Sequence, residues 1–311
     1  MINVIIPCLN EETSIGEVIR ELKSSSTNCS KIIVVDNGST DRTSEIAREY
    51  GAEVVIEPRR GKGFAFRKGL TRISEDCDLI FLVDGDFTYA LEGLDQAANL
   101  VRTDGYDMVV GERINEVEIE AYRFGHRFGN RILTLFHNLM FGSEIVDTLS
   151  GWRLMTRGFA LSFPAGASRF ELETELNSHA FHLNSAVANF PVRYRARVSG
   201  SFSKLSTYSD GFKILRRNTN LWRSERPLLA YTSMSLPWFL ASFVLLGRVL
   251  STYIQNGLVP KFPSLIVSVG LFVIGANLWI AGVILERTNL HRTALARYIY
   301  LQEQLRINRL T

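Results

Sequence analysis

Apolar residues along this chain come in two textures. In its first third they form short runs rich in Val and Ile, at Asn3–Ile6, Lys31–Asp36, Glu53–Ile56, Leu79–Asp84 and Asp107–Gly111. Continuous apolar runs of that length predict strands buried on both faces. Between them, Ser14–Leu22, Thr40–Tyr50, Ala65–Ile73 and Glu92–Val101 carry apolar residues at helical spacing, with Thr40 a candidate cap for the second helix and Gly51 its close. Strand and helix alternating in this way predict an α/β fold: a mostly parallel sheet covered by helices on both faces, with ligands at the carboxyl ends of the strands.

The second texture lies near the carboxyl end. There, 21 residues between Arg226 and Arg248 and 24 between Lys261 and Glu286 carry no charge. Each stretch is long enough for a helix to cross a hydrocarbon core, which takes about 20 residues. They predict a two-helix transmembrane hairpin over residues 227–286, with spans near 228–248 and 263–285. Arg216, Arg217, Arg223 and Arg226 precede the hairpin, and Arg287, Arg292 and Arg297 follow it, whereas the connection offers only Arg248 and Lys261. The positive-inside bias therefore puts both flanks, and a body over 1–209, in the cytoplasm. No basic, apolar leader precedes the run Ile2–Ile6, so no signal peptide is expected. Asp210–Trp222 mixes Phe212, Leu215, Leu221 and Trp222 with Lys213, Arg216 and Arg217, which suits an interfacial helix over 210–226. Residues 287–311 form a further cytoplasmic helix in this reading.

Charge sharpens the division. Residues 1–200 hold 22 Lys and Arg against 28 Asp and Glu, and residues 201–311 hold 13 against 4. An acidic body with a basic tail argues against nucleic acid as a partner and for anionic phosphates or lipid near the tail. Cys8, Cys29 and Cys77 lack the spacing of a zinc site or a disulfide framework.

Polar residues gather where the strands end. The first strand runs into Pro7, Leu9, Asn10 and Glu11, and the second into Asp36, Asn37 and Gly38. Such groups can hold a ribose or a base edge, or they can simply cap helices and make turns. Gly61-Lys62-Gly63 offers a backbone that approaches closely and one positive charge, suited to a phosphate or to a flexible basic loop. Asp84-Gly85-Asp86 closes the fourth strand. Residues two apart on an extended segment point the same way, so both carboxylates could address one cation. Hard oxygen ligands in an open site suit Mg²⁺ or Mn²⁺ bridging to phosphates, while a solvated turn is the plainer alternative.

In this order the segments Ile5–Glu11, Val34–Asp41, Gly61–Gly63, Asp84–Asp86, Gly111-Glu112-Arg113, Asp147–Arg153 and Gly200–Leu205 resemble the family 2 glycosyltransferases of the GT-A fold. The likeness is to the branch of dolichol-phosphate mannose synthase and the bacterial polyprenyl-phosphate glycosyltransferases, over residues 2 to 226. It implies a UDP- or GDP-linked sugar held by Pro7, Leu9, Glu11, Asp36 and Lys62, with the cation on Asp84 and Asp86; Asn10, Asn37, Gly38, Asp84 and Gly85, in the same motifs, are further candidates for donor binding. Arg113, Arg127, Arg197 and Lys204 would take the phosphate of a polyprenyl acceptor, joined by Arg131, which stands where the synthase has a smaller polar residue. Asp86 and Asp147 are the candidate catalytic residues; Asp147 could orient the acceptor, cap a helix or pair with Arg153. Three departures from the family pattern stand out: Asn37 where relatives carry Asp, Gly85 in place of Ala, and Thr88 where the synthase has a Gln near the metal. The implied reaction is an inverting transfer of sugar to polyprenyl phosphate at the membrane, with a glycan or protein acceptor as the alternative. Glycines at 270, 275 and 282 could serve helix contacts in a homo-oligomer. Glu171, Glu173 and Glu175 begin a helix that either borders the sugar pocket or presents a solvated acidic face.

Overall fold

A computed structural model describes residues 1–26, 28–115, 146–164, 172–195, 223, 226–259 and 262–310. The chain divides into two units, Met1–Thr207 with Leu295–Thr311, and Tyr208–Ala294.

The first unit is built on a seven-stranded sheet: β1 (Ile2–Cys8), β2 (Cys29–Asp36), β3 (Glu53–Ile56), β4 (Leu79–Leu82), β5 (Met108–Asn115), β6 (Arg153–Thr156) and β7 (Val187–Tyr194). Their spatial order is β3-β2-β1-β4-β6-β5-β7. All pairings are parallel except those of β6, which runs antiparallel to both β4 and β5. The carboxyl ends of β1 to β5 and β7 therefore share one rim with the segment that enters β6.

Successive side chains alternate between the faces of a strand, and here both faces are covered. Ile2, Val4 and Ile6 of β1, Val34 of β2 and Phe81 of β4 enter one core, packed by α1 (Ile15–Ser25), α2 (Thr43–Glu49) and α4 (Leu94–Arg102). Ile5, Ile33, Val35, Ile80 and Leu82 enter the other, packed by α3 (Lys62–Leu70), α5 (Arg157–Ser162) and α6 (Leu172–Leu183). Each such side chain is worth about 1.5–3 kcal/mol when fully buried. α1 shows how the helices are fixed: Ile15, Val18, Ile19 and Leu22 make one buried stripe, with Glu17 in its first turn and Lys23 in its last.

Several boundaries differ from the sequence reading. β6 is only four residues long and opens on an arginine, and β7 is an edge strand that contains Pro191, so neither carries the apolar signature of the others. The second helix begins at Thr43 rather than at a Thr40 cap, because the Thr40 N–H is taken by Asn10 Oδ1 (2.8 Å). The third begins at Lys62 itself.

In the second unit, α7 (Pro227–Asn256) runs unbroken through Pro237 and closes on Gly257 in the left-handed region. α8 (Phe262–Leu310) is one continuous helix where the sequence suggested a span and a separate tail. Both helices are long and apolar enough to cross a membrane. Within the unit, Phe239 and Phe243 meet Phe272, and Ser242 Oγ donates to the Ser268 carbonyl at 2.7 Å. Gly275 faces Phe239 and Gly282 faces Tyr231, so these two glycines serve the hairpin itself. The last turns of α8 belong to the first unit: Glu303 pairs with buried Arg157 (3.0 Å) and Tyr300 donates to Asp107 (2.5 Å).

Candidate active site

At the shared rim, three loops are laced together before any ligand is considered. Asp36, at the end of β2, accepts from the backbone N–H groups of Gly38 (3.1 Å) and Ser39 (2.7 Å) and from Ser44. Burial pushes this carboxyl upward, but those donors outweigh it and hold its pKa below the usual range. Asn10, itself at a φ of 56°, accepts from Thr40, and the Glu11 N–H donates to Thr43 (2.8 Å). Pro7 and Leu9 lie partly buried at the same strand end.

Asn37 explains one departure from the family pattern. Its amide donates to the carbonyls of Glu57 (2.9 Å) and Arg59 (2.6 Å), and its oxygen accepts from Gly61 N–H (2.5 Å). An ionised Asp cannot donate, so only an amide can tie β2 in this way to the loop that launches Lys62. Glu57 anchors that loop: paired with the Arg59 fork at 2.8 and 2.9 Å, its pKa falls to about 2.

Lys62, the first residue of α3, sends its ammonium between Asp84 and Glu173, touching Asp84 Oδ1 and lying 2.5 Å from Glu173 Oε1. Burial would push the lysine down; the two carboxylates outweigh it and keep its pKa well above the ordinary value. Glu173 comes from the first turn of α6 and is buried, so this carboxylate is not part of a solvated face. Asp84 is hemmed in on its other side, where a Cβ on Gly151 would lie 2.0 Å from its Oδ2.

The Asp84-Gly85-Asp86 segment is a turn beyond β4, which ends at Leu82. Gly85 and Asp86 lie in the turn itself, so the triplet is not extended throughout. Gly85 is required there because a Cβ would meet Cys8 Sγ at 2.7 Å; the buried thiol fills the space an alanine methyl would need. Asp86 accepts from Thr88 N–H (3.2 Å) and Oγ1 (2.6 Å), so Thr88 orients the carboxylate. Phe87, between them, holds a left-handed φ of 59°. The Arg195 guanidinium covers its ring at 4.8 Å and is itself held by Glu21 at 2.6 and 3.0 Å. That clamp escaped the sequence reading, since its members come from α1, the turn and the end of β7.

Across the rim, Arg113 near the end of β5 forms a two-bonded pair with Asp147: Nε to Oδ2 at 2.5 Å and Nη2 to Oδ1 at 2.8 Å. Burial would lower the guanidinium pKa, but Asp147 more than offsets it. The ring of Tyr194 lies 5.4 Å from the Arg113 guanidinium. Asp147 thus pairs with Arg113 and not with Arg153. Arg153 is fully buried and pins the loop entering β6 through the carbonyls of Ser150 (3.0 Å) and Thr148 (3.1 Å) and through Asn177 (2.6 Å). Burial lowers its pKa to about 10. Tyr89 adds a brace by accepting from Gly151 N–H at 2.9 Å. Arg127, Arg131, Arg197 and Lys204 lie outside the described residues, as does the helix suggested over 210–222.

The donor set fits a hard divalent cation in an open site. Asp84 and Asp86 would supply carboxylate oxygens two residues apart, hard donors suited to a cation that also takes substrate phosphates.

Among known proteins, the chain is 29% identical over 300 residues to glycosyltransferase AglJ of Haloferax volcanii, covering 94% of this chain and 96% of that protein. It is 29% identical over 223 residues to the dolichyl-phosphate hexose transferase of the same organism, covering 72% and 94%. A solved structure of glucosyl-3-phosphoglycerate synthase from Mycobacterium tuberculosis, in complex with Mn²⁺, UDP-glucose and phosphoglyceric acid, superposes with a TM-score of 0.58 at 24% identity, covering 72% of this chain and 79% of that one. That likeness establishes the GT-A fold. The family described as Glycosyl transferase family 2 matches residues 3–160, half of the chain. The chain belongs to that family and is a glycosyltransferase.

Proposed function

We propose that this protein transfers a sugar from a UDP- or GDP-linked donor to a polyprenyl phosphate, inverting the anomeric carbon, at the cytoplasmic face of a membrane. The observation that carries this reading is the pairing, on one rim, of an acidic turn (Asp84, Asp86) with a half-buried guanidinium (Arg113), in a chain that also holds two helices of membrane-crossing length. The relative named for dolichyl phosphate and the solved fold relative with Mn²⁺ and UDP-glucose support the acceptor and donor classes.

The chemistry needs little from a base. A phosphomonoester has its second pKa near about 6, so the nucleophile is already ionised. What it needs is relief of negative charge at both ends of the displacement. On the donor side Asp84 and Asp86 would hold Mg²⁺ or Mn²⁺, which when bound neutralises the diphosphate as it departs. Asn37 and Glu57 shape the loop that presents Lys62 to the same region. On the acceptor side Arg113 offers a planar fork suited to phosphate oxygens, and Asp147 fixes its orientation. Arg127, Arg131, Arg197 and Lys204 complete the acceptor set in this reading.

The test offers detergent-extracted full-length protein a panel of labelled nucleotide sugars with polyprenyl phosphate, with and without chelator. Label entering the organic phase, and lost on chelation, is the expected result. Label appearing only in glycan or protein, or transfer indifferent to chelator, would overturn the acceptor or the cation assignment respectively.

A further inference from the structure

We propose that Lys62 is the resident counter-cation of the metal site, and that Glu173 is a positioning residue that receives its ammonium when a divalent cation takes Asp84. This rests on the reading of Asp84 and Asp86 as cation ligands. Two carboxylates converge on one ammonium, with side-chain exposures of 13% for Lys62, 9% for Glu173 and 31% for Asp84. Without Lys62 the carboxylates would repel each other in a poorly solvated site. With a dication on Asp84, Lys62 would feel twice the repulsion of a unit charge at close range.

One partner must then move. Asp84 cannot retreat, because Gly151 lies against its Oδ2. Glu173 is fixed by the first turn of α6, a helix anchored by Leu172, Leu176 and Ala180 in the core. Lys62 alone stands on a long flexible stem, and its second partner is already in place at 2.5 Å. The ammonium therefore shifts towards Glu173 and remains beside the cation, where the diphosphate of the donor balances the added charge. Cation alone binds weakly, and cation with diphosphate binds tightly.

Mn²⁺ binding to the full-length protein in detergent, without nucleotide, tests this by the electron paramagnetic resonance of free Mn²⁺. Lys62→Met should bind Mn²⁺ about tenfold more tightly than wild type, since Asp84 is released. Glu173→Gln should bind it about tenfold more weakly, since the ammonium is left wholly with Asp84. The double variant, which removes both the lysine and the neighbouring carboxylate, should bind at least as tightly as wild type and guards against a Lys62→Met chain that does not fold. Shifts of the two single variants in the same direction, or a double variant as weak as Glu173→Gln, would overturn the hand-over while leaving the cation site standing. Wild-type Mn²⁺ affinity in Asp86→Asn would instead remove the cation assignment on which it rests.

Discussion

The two charged clusters on the rim are built on opposite principles. In the cluster assigned to the donor one ammonium serves two carboxylates, Asp84 and Glu173. On the acceptor side one guanidinium serves one carboxylate, in a two-bonded pair that is neutral by itself. The first arrangement suits the arrival of a cation. The second is an oriented fork, whose capacity for phosphate depends on further positive charge. Both clusters border the loop that enters β6, where Gly151 lies against Asp84 and Asp147 holds Arg113, and Arg153 pins that loop through the carbonyls of Ser150 and Thr148.

The sharpest way to break this comparison is Asp86→Asn. It should lower transfer by about 10²-fold or more, with far-ultraviolet circular dichroism unchanged; wild-type turnover would end the donor-side assignment. Next comes the acceptor pair. Arg113→Ala leaves Asp147 buried without its fork and should destabilise the first unit by about 3–5 kcal/mol in denaturant unfolding. Adding Asp147→Asn should recover much of that stability but none of the transfer. Recovery of both would reduce the pair to a structural role.

A pH experiment asks how firmly the donor cluster is founded. His179 lies on α6, the helix that carries Glu173, between Phe159 and Phe163 and 2.9 Å from Ser162 Oγ. Burial lowers its pKa from 6.5 to about 4. The unfolded chain therefore binds the proton first as pH falls. Stability is complete above pH 6.5, declines towards about 4 and then levels, with a ceiling of about 3 kcal/mol at 1.4 kcal/mol per pH unit. Thermal unfolding from pH 7 to pH 4 should show this decline, and His179→Phe should flatten it. The smallest effect is expected from Gly151→Ala, whose methyl would collide with Asp84 Oδ2. Overpacking of that kind costs about 1–3 kcal/mol. The accompanying loss of donor affinity, read by nucleotide titration, should exceed any loss of acceptor affinity.

Much of the frame was legible because it obeys local periodicity. The runs that became β1, β2, β3 and the core of β4 and β5 are apolar on both faces, since the sheet is covered on both sides. β6 and β7 were not legible: a four-residue strand opening on Arg153 and an edge strand holding Pro191 depend on their neighbours for identity. Arg153, in the sequence a possible partner of Asp147, is among the most buried side chains in the body. The acids at the fourth strand end are legible in the sequence, but the turn at Gly85 and Asp86 is not; the left-handed Phe87 beside it is covered by Arg195, from the far edge of the sheet.

By itself the sequence determined the alternation of strands and helices, the two apolar helices, and the identity of the acids at the fourth strand end, because each is written in neighbouring residues. Only the tertiary structure decided which charges meet. Lys62 and Glu173 are 111 residues apart, and Arg113 and Asp147 are 34 apart. Strand order and helix docking bring such pairs together, and burial favours each pairing, since an ion removed from water must find a counter-charge or hydrogen-bond partners wherever the fold has put them.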